Sequence, residues 1–513
     1  MKRAARAGYN GIALSDYKFN ILDRMPERYF RNLAKVRDVA SRLKLDIYPC
    51  VMPIGYSSGI LAHDPNLAEG LPVKDALFIV RGKEAHLIAH PPVELRNGDF
   101  ERVNGHRFIG WDFQDGIGIS TFAEHSIVHS GTVAIRMENF RKGNKHGNCR
   151  VMQTVKVAPF RQYHVSVWIR SEVVSPADSI RILILAPDGM TLSYNDLKVK
   201  PTQSWREHHI VFNSLRYNHV RIYIGIWGGN RGRIWFDDAR IEEVGFLNLL
   251  RRLGCPLVVR GEDGTIYEEG RDFEPVRDER MGMAPYIGHY EVYHKPPPLR
   301  LTPNSRIKDG ERLRVSFYHT MLIYWGQVMC CLSEPKVYEI LRDQIERVDA
   351  ALKPKGFSMQ HDEIRIANWC LACQRRKMTP GQLLADNVRR CVKIIRTVRP
   401  NAEIFVWSDM FDPHHNARDR YYLVNGTLEG SWEGLARDVI IVNWNFRKRH
   451  ESMRWFAKRG HKQILAGYYD GNPMRIRTWL NDARNIEGII GVMYTTWQHK
   501  YDDLEEFARA VGW

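Results

Sequence analysis

The sequence predicts an α/β protein, a (β/α)8 TIM-type barrel interrupted by an inserted antiparallel β-sandwich of the jelly-roll kind. Three observations predict it. Apolar runs alternate with helical patterns in the first and last parts of the chain. From about residue 95 to about 245 helical periodicity gives way to short β-rich runs divided by Gly, Pro, Asn and Asp. Polar and acidic residues recur where the outer apolar runs stop, which is the end at which barrel sites lie.

The opening reads helix, strand ("GIALSDY"), helix ("RYFRNLAKVRDVASRLK") and strand ("LDIYPCVMP"), and is assigned as the first part of the barrel, residues 1–94. The middle, residues 95–245, contains "HVSVWIRS", "IRILILAP", "REHHIVFNS" and "HVRIYIGIWGG", strands at sandwich spacing. The remainder, residues 246–513, returns to alternation with "LRVSFYHT", "GFSMQHDE", "EIFVWSDM", "VIIVNWNF", "QILAGYYDG" and "IIGVMYTTW". Six such runs plus the two before the insert make about eight strands. That count takes "LRVSFYHT" as a barrel strand; the alternative assigns it to the insertion and leaves one barrel strand to be expected upstream of Met1. An open doubly wound sheet is the structural alternative, but no glycine-rich phosphate loop follows the first strand.

Composition narrows the function classes. The 513 residues are 44% hydrophobic and 11% aromatic, which suits large packed cores and excludes disorder as the general state. A formal charge of +16 is spread through "RRLG", "QRRK" and "FRKRH" without one dominant run, so solvated faces account for it and no nucleic-acid motif appears. No apolar run approaches the roughly 20 residues of a membrane span. "MKRAARAGYNGIALSDY" lacks the h-region of a signal peptide, and its pattern suits an amphipathic helix followed by a strand, from which a native chain beginning further upstream is an expectation. Eight cysteines in such a length are no disulfide scaffold. Cys370 and Cys373 form a lone CxxC, read as buried free thiols because no second pair or Cys/His set at zinc spacing follows closely. No cofactor is expected for catalysis.

The strand ends carry Asp16, His319, Asp362 with Glu363, Asp409, Trp444, Tyr468 to Asp470, and Trp497. Helix capping explains an Asp at any single junction. Recurrence across these strands instead suggests one shared pocket. Trp407, Trp444, Tyr468, Tyr469, Tyr494 and Trp497 are core residues if taken singly, but rings gathered beside carboxylates also suit sugar faces and hydroxyls. Glycoside cleavage needs a proton for the leaving oxygen and negative charge near an oxocarbenium-like centre, and carboxylates supply both. A carbohydrate is therefore the expected ligand. The loops "IGYSSGILAHDPNLAEGLPV" and "FDPHHNARDRYYLVNG" read as pocket rims, with no catalytic assignment to His414 or His415.

The stretch "CLSEPKVYEILRDQIERVDAALKPKGFSMQHDEIR" resembles the family 20 β-N-acetylhexosaminidases, in which a helix precedes a barrel strand ending in His-x-Gly-Gly-Asp-Glu. The later order "FVWSD", "VNWN", "GYYD" and "YTTWQ" is similar to that family's too. The resemblance implies an exo-acting glycoside hydrolase with Glu363 as general acid/base and Asp362 orienting a 2-acetamido group that acts as nucleophile. It also implies Trp444 and Trp497 as walls of the sugar site, Tyr469 near the acetamido carbonyl or the developing positive charge, and Asp470 on hydroxyls. Gln360 and His361 replace the two glycines, so the imidazole is a candidate to enter the site, and Arg365 is a candidate to hold an acidic sugar or to pair with Asp362. A displacement using Glu363 with Asp16 or Asp409 is the alternative mechanism, and a non-catalytic carbohydrate-binding protein is the alternative class.

Within the insert, "LRNGDFERVNGHRFIGWDF" and "GRIWFDDARIEEV" look like the boundaries of carbohydrate-binding modules of the family 4/9 type. That resemblance implies a structural calcium, with Asp99, Glu101 and Asp238 as its candidate ligands; capping of β-turns by the same acids is the other reading.

Overall fold

The computed structural model describes residues 1–512. The chain divides into two compact units, one formed by Met1–Glu69 with the chain from Met329 onward, the other by Gly70–Val328. The β-rich stretch 95–245 lies wholly inside the second unit.

The first unit is built on one parallel sheet. Its strands are β1 (Gly11–Leu14), β2 (Asp46–Val51), β3 (Gly356–Met359), β4 (Glu403–Trp407), β5 (Ile440–Asn443), β6 (Gln463–Ala466) and β7 (Ile489–Met493). They are hydrogen-bonded to one another in chain order and every pairing is parallel. Helices α1 (Glu27–Arg42), α2 (Pro335–Leu352), α3 (Pro380–Val398), α4 (Arg449–Lys458) and α5 (Arg475–Ala483) connect most of them. In α2, Val337, Leu341, Gln344, Ile345, Val348 and Leu352 are buried at helical spacing, and Lys353 ends the helix in a left-handed conformation, φ 46°. Pro335 suits the first turn, where its missing N–H costs no hydrogen bond. In α3, Thr379 and Gln382 form a reciprocal capping box ahead of a stripe running from Leu383 to Ile395. Each fully buried aliphatic side chain of these stripes contributes on the order of 1.5–3 kcal/mol.

This sheet corrects the expected (β/α)8 barrel. It has seven strands, and no ladder joins β7 to β1 among the described residues. The inner strands β3 and β5 are buried at all four positions, whereas β1 and β7 are partly exposed along most of their length, as sheet margins are. The alternation also lapses between β4 and β5, where residues 408–439 hold only short 3₁₀ turns and a two-residue strand.

The eighth run, "LRVSFYHT", belongs to the other unit. Arg312–His319 pairs antiparallel with Leu71–Arg81 in a six-stranded sheet. Its burial alternates residue by residue, the mark of a sheet covered on one face only. Phe78, Phe246, Val315 and Phe317 help form the core against that sheet. The same unit contains two five-stranded antiparallel sheets. One runs in the order Thr191–Tyr194, Ile180–Leu185, His219–Ile226, Cys149–Lys156, Phe113–Gln114. The other runs Gln203–Asn213, Gln162–Ser175, Arg231–Val244, Ala134–Met137, Thr121–Glu124. Their interiors hold Ile182, Ile184, Ile222 and Ile224 from the first, and Val165, Val167, Ile234 and Phe236 from the second, all fully buried.

Candidate functional site

The chain leaves β3 at Gln360 and turns sharply. Gln360 still donates its N–H to Val51 and accepts from Ile54, and three residues later Glu363 sits at φ 52°. A left-handed conformation at a non-glycine residue costs energy that its surroundings must hold in place. Here the Glu363 N–H donates to Asp409 Oδ2 at 2.9 Å, and Asn416 Nδ2 donates to the same oxygen at 2.9 Å. Gly55 passes so close that a Cβ on it would lie 1.7 Å from the Asp362 carbonyl oxygen. Only glycine fits that approach.

These contacts bring three carboxyl groups together. Asp362 is partly buried, and its carboxyl is pushed up to about 8, first by burial and then by the charges of Asp409 and Glu363. Asp409 is fully buried and is pushed up to about 6 by burial, a rise that the Glu363 N–H and the Asn416 and Trp444 side chains oppose. Glu363 is ion-paired: Arg365 Nη2 lies 2.9 Å from Glu363 Oε2, and the Tyr56 hydroxyl donates to that oxygen at 2.6 Å. Arg365 is buried and its guanidinium also lies over the Tyr422 ring, 5.1 Å from the centroid. Burial alone would weaken its charge, but Tyr421, Glu363 and Tyr56 outweigh that and raise it. The cluster thus holds one cation against three acids, and burial together with the neighbouring carboxylates favours the protonated form of Asp362.

Aromatic rings stand beside the acids. Trp444 Nε1 donates to Asp409 Oδ1 at 3.4 Å, and its ring stacks parallel to Tyr469, with centroids 5.6 Å apart and planes at 4°. His415 meets Trp444 edge-on at 4.5 Å. Trp407 Nε1 donates to Gln360 Oε1 at 3.3 Å and lies 5.9 Å from the Trp497 ring. Tyr469 and Trp497 are exposed, so the aromatic face opens to solvent.

Of the residues singled out from sequence, Asp362, Glu363, Arg365, Trp407, Asp409, Trp444, Tyr469 and Trp497 are gathered here. The others have different work. Asp16 caps the 3₁₀ turn Tyr17–Asn20 by accepting from the Lys18 N–H, and also accepts from the Tyr29 hydroxyl. His361 is fully buried, its Nε2 3.0 Å from Asn387 Oδ1, with burial pushing it down to about 4. It packs into the core and does not enter the site. Tyr468 stacks on Tyr494 and donates to Asp503, inside the apolar cluster under β6. Asp470 accepts from Thr496 Oγ1 and the Trp497 N–H, so it shapes the loop that presents Trp497. His319 lies in the other unit between Gln162 and Asn213, 2.9 Å from each.

Tyr56, Tyr421, His415 and Asn416 join the site without having been assigned to it. They sit on the two rim loops after β2 and β4, and the position of those loops directly after strand ends was the available signal.

Two of the three expected calcium ligands, Glu101 and Asp238, have protein partners. Glu101 accepts from the Thr132 N–H and hydroxyl and from the Val133 N–H. Asp238 Oδ2 lies 2.6 Å from His129 Nδ1, while Asp99 is exposed. Among the described residues these three do not form a group with ligand atoms in common reach; the group that does is Glu69, Cys331, Cys370 and Cys373.

No family profile matches the chain, and no curated protein matches its sequence. The hexosaminidase resemblance therefore gains no support from these comparisons. Among solved structures, a family 4 carbohydrate-binding module is 18% identical over 29% of this chain and 99% of its own, with a TM-score of 0.23. The family 61 module TmCBM61, solved with β-1,4-galactotriose, is 17% identical over 29% of this chain and 97% of its own, TM-score 0.22. The xylan-binding CBM22-1 domain of Paenibacillus barcinonensis Xyn10C is 12% identical over 30% and 95%, TM-score 0.21. Part of the chain is thus similar to carbohydrate-binding modules. Cyclases from Fischerella sp. TAU match at the same level, for example at 15% identity and TM-score 0.23, so these likenesses carry no argument about ligand or reaction.

Proposed function

We propose that the protein binds a carbohydrate at the end of β3 to β6 and cleaves a glycosidic bond there by acid catalysis. The observation that carries this reading is the cluster of Asp362, whose carboxyl burial raises, with the ion-paired Glu363 and with Asp409 beside the Trp444–Tyr469 stack. Glycoside cleavage uses an acid for the leaving oxygen and a second carboxylate for the oxocarbenium-like centre or for the attacking water. Asp362 supplies the proton. Glu363, with its side chain 26% exposed, supplies the negative charge. Asp409 is fully buried and acts as a positioning residue through its bond to the Glu363 N–H. This reverses the roles that the hexosaminidase resemblance implies, in which Glu363 is the general acid/base and Asp362 orients an acetamido group. The parallel Trp444 and Tyr469 rings offer flat apolar faces for the C–H side of a pyranose.

Carbohydrate binding without turnover is the second reading, favoured by Arg365. Its pairing with Glu363 engages one carboxylate before any substrate arrives, as a purely recognising site would do. A glycan array and a panel of aryl glycosides separate the two. Binding with cleavage that Asp362→Asn abolishes supports the catalytic reading, binding without cleavage supports the second, and neither binding nor cleavage overturns both.

A further inference from the structure

We propose that Glu69, Cys331, Cys370 and Cys373 form a structural zinc site in the unit that carries the parallel sheet. All four side chains are buried and their ligand atoms lie within 4.8 Å of one another. Cys331 Sγ is 3.5 Å from Cys370 Sγ and 3.5 Å from Cys373 Sγ, while Glu69 Oε2 is 3.6 Å from Cys370 Sγ and 3.5 Å from Cys373 Sγ. A tetrahedral zinc with bonds of about 2.3 Å to sulfur and about 2.0 Å to oxygen puts sulfurs about 3.8 Å apart and sulfur about 3.5 Å from oxygen. The two sulfur–oxygen separations match that tetrahedron, and the two sulfur–sulfur separations fall about 0.3 Å short of it, a shift that small side-chain rotations close.

The donor chemistry agrees with the shape. Three thiolates with one carboxylate favour zinc over magnesium or calcium, which take oxygen ligands. Cys370 and Cys373 supply two ligands from a Cys-x-x-Cys turn, the spacing that structural zinc sites use. The outer contacts are in place as well: Glu69 Oε1 accepts the Trp369 and Cys370 N–H groups at 2.7 and 2.9 Å, which aims Oε2 at the sulfurs. Sequence spacing hid the site because its other ligands lie about 40 and 300 positions before the CxxC.

The site ties three segments of one unit. Glu69 and Cys331 lie where the chain leaves and re-enters that unit, side by side through the bonds Glu69 N–H to Met329 O and Cys331 N–H to Leu67 O. Cys370 and Cys373 follow the segment Asp362–Arg365. Zinc here fixes the base of the loop that carries the candidate acids.

Elemental analysis of the full chain purified without chelator tests the proposal, with about one equivalent of zinc per chain expected. Cobalt exchanged into the wild-type protein should give intense thiolate-to-metal charge-transfer bands and the visible spectrum of a tetrahedral site. The Cys331→Ser/Cys373→Ser variant should lose the metal, while Cys391→Ser should retain it. Should the double variant fail to fold, release of zinc from wild type by a thiol-specific mercurial, in step with three titrated thiols, gives the same answer. Absence of metal after growth and reconstitution in zinc, iron in place of zinc, or full zinc retention in the double variant overturns the proposal.

Discussion

The N–H of Glu363 donates to Asp409 Oδ2, so the loop that ends β3 is held by a carboxylate from the end of β4. The same carboxylate is the largest charge acting on Asp362. Replacing Asp409 by Asn keeps an acceptor oxygen for the bond and removes the charge. Asp409→Asn should then shift the basic limb of the pH–rate profile, which reports Asp362, to lower pH by on the order of one unit. A limb that stays in place would show that Asp409 does not act on Asp362.

The raised pKa of Asp362 also shapes stability. In the unfolded chain this carboxyl loses its proton near its ordinary value of 3.8, whereas in the fold it keeps the proton up to about 8. Between those values the folded state binds more protons than the unfolded one, so the contribution of Asp362 to stability falls as pH rises through that window. Its slope is at most about 1.4 kcal/mol per pH unit. Denaturant unfolding at a series of pH values should show that the advantage of Asp362→Asn over wild type grows from pH 4 to pH 8. A constant difference would contradict the assignment.

Gly55→Ala is expected to disrupt the site by sterics alone. The added methyl would sit 1.7 Å from the Asp362 carbonyl oxygen, and the contact is with backbone, so either segment must move. Overpacking of this kind costs about 1–3 kcal/mol. Loss of carbohydrate binding in a protein that still unfolds cooperatively is the expected result.

The Arg365–Glu363 pair should behave as a coupled unit. Arg365 is buried and Glu363 mostly so, and leaving one charge of a buried pair alone costs about 3–5 kcal/mol. Arg365→Met should destabilise strongly, and adding Glu363→Gln should recover part of the loss. A double-mutant cycle measures the coupling; additive effects would show that the pair is not formed in solution.

Trp497 is 53% exposed, so its removal should cost little stability, within about 0.5 kcal/mol. Trp497→Ala and Tyr469→Ala should nevertheless weaken glycan affinity about tenfold, or about 1.4 kcal/mol. Titration calorimetry against the best glycan from the array reads both, and unchanged affinity would remove the aromatic face from the site.

Much of the parallel sheet was legible because its strands are short apolar runs between amphipathic helices. Seven of the eight expected runs form its strands, in chain order. The eighth was misplaced for a physical reason visible in the sequence: "LRVSFYHT" alternates apolar and polar residues, as one-sided antiparallel strands do, whereas "GFSM" and "IIVN" are buried at every position. Counting apolar runs without asking about their period gave eight where the sheet has seven.

The candidate site was legible as a set of residues and not as a set of roles. Asp362, Glu363, Asp409, Trp444 and Trp497 could be found because polar groups at strand ends are anomalous. His361 and Asp470 looked the same in one dimension, yet one is buried against Asn387 and the other shapes a loop. Position along the chain does not say which way a side chain points once a strand ends.

By itself the sequence determined the helix stripes, the apolar runs that become parallel strands, the run of antiparallel strands and the chemistry available at the strand ends. Those follow from local periodicity and residue type. Only the tertiary structure decided that the sheet has seven strands with exposed margins and that burial raises the Asp362 carboxyl. It alone brought Glu69 and Cys331 to the CxxC. Each of these depends on burial and on distances between residues far apart in the chain, and neither quantity is a property of any short stretch of sequence.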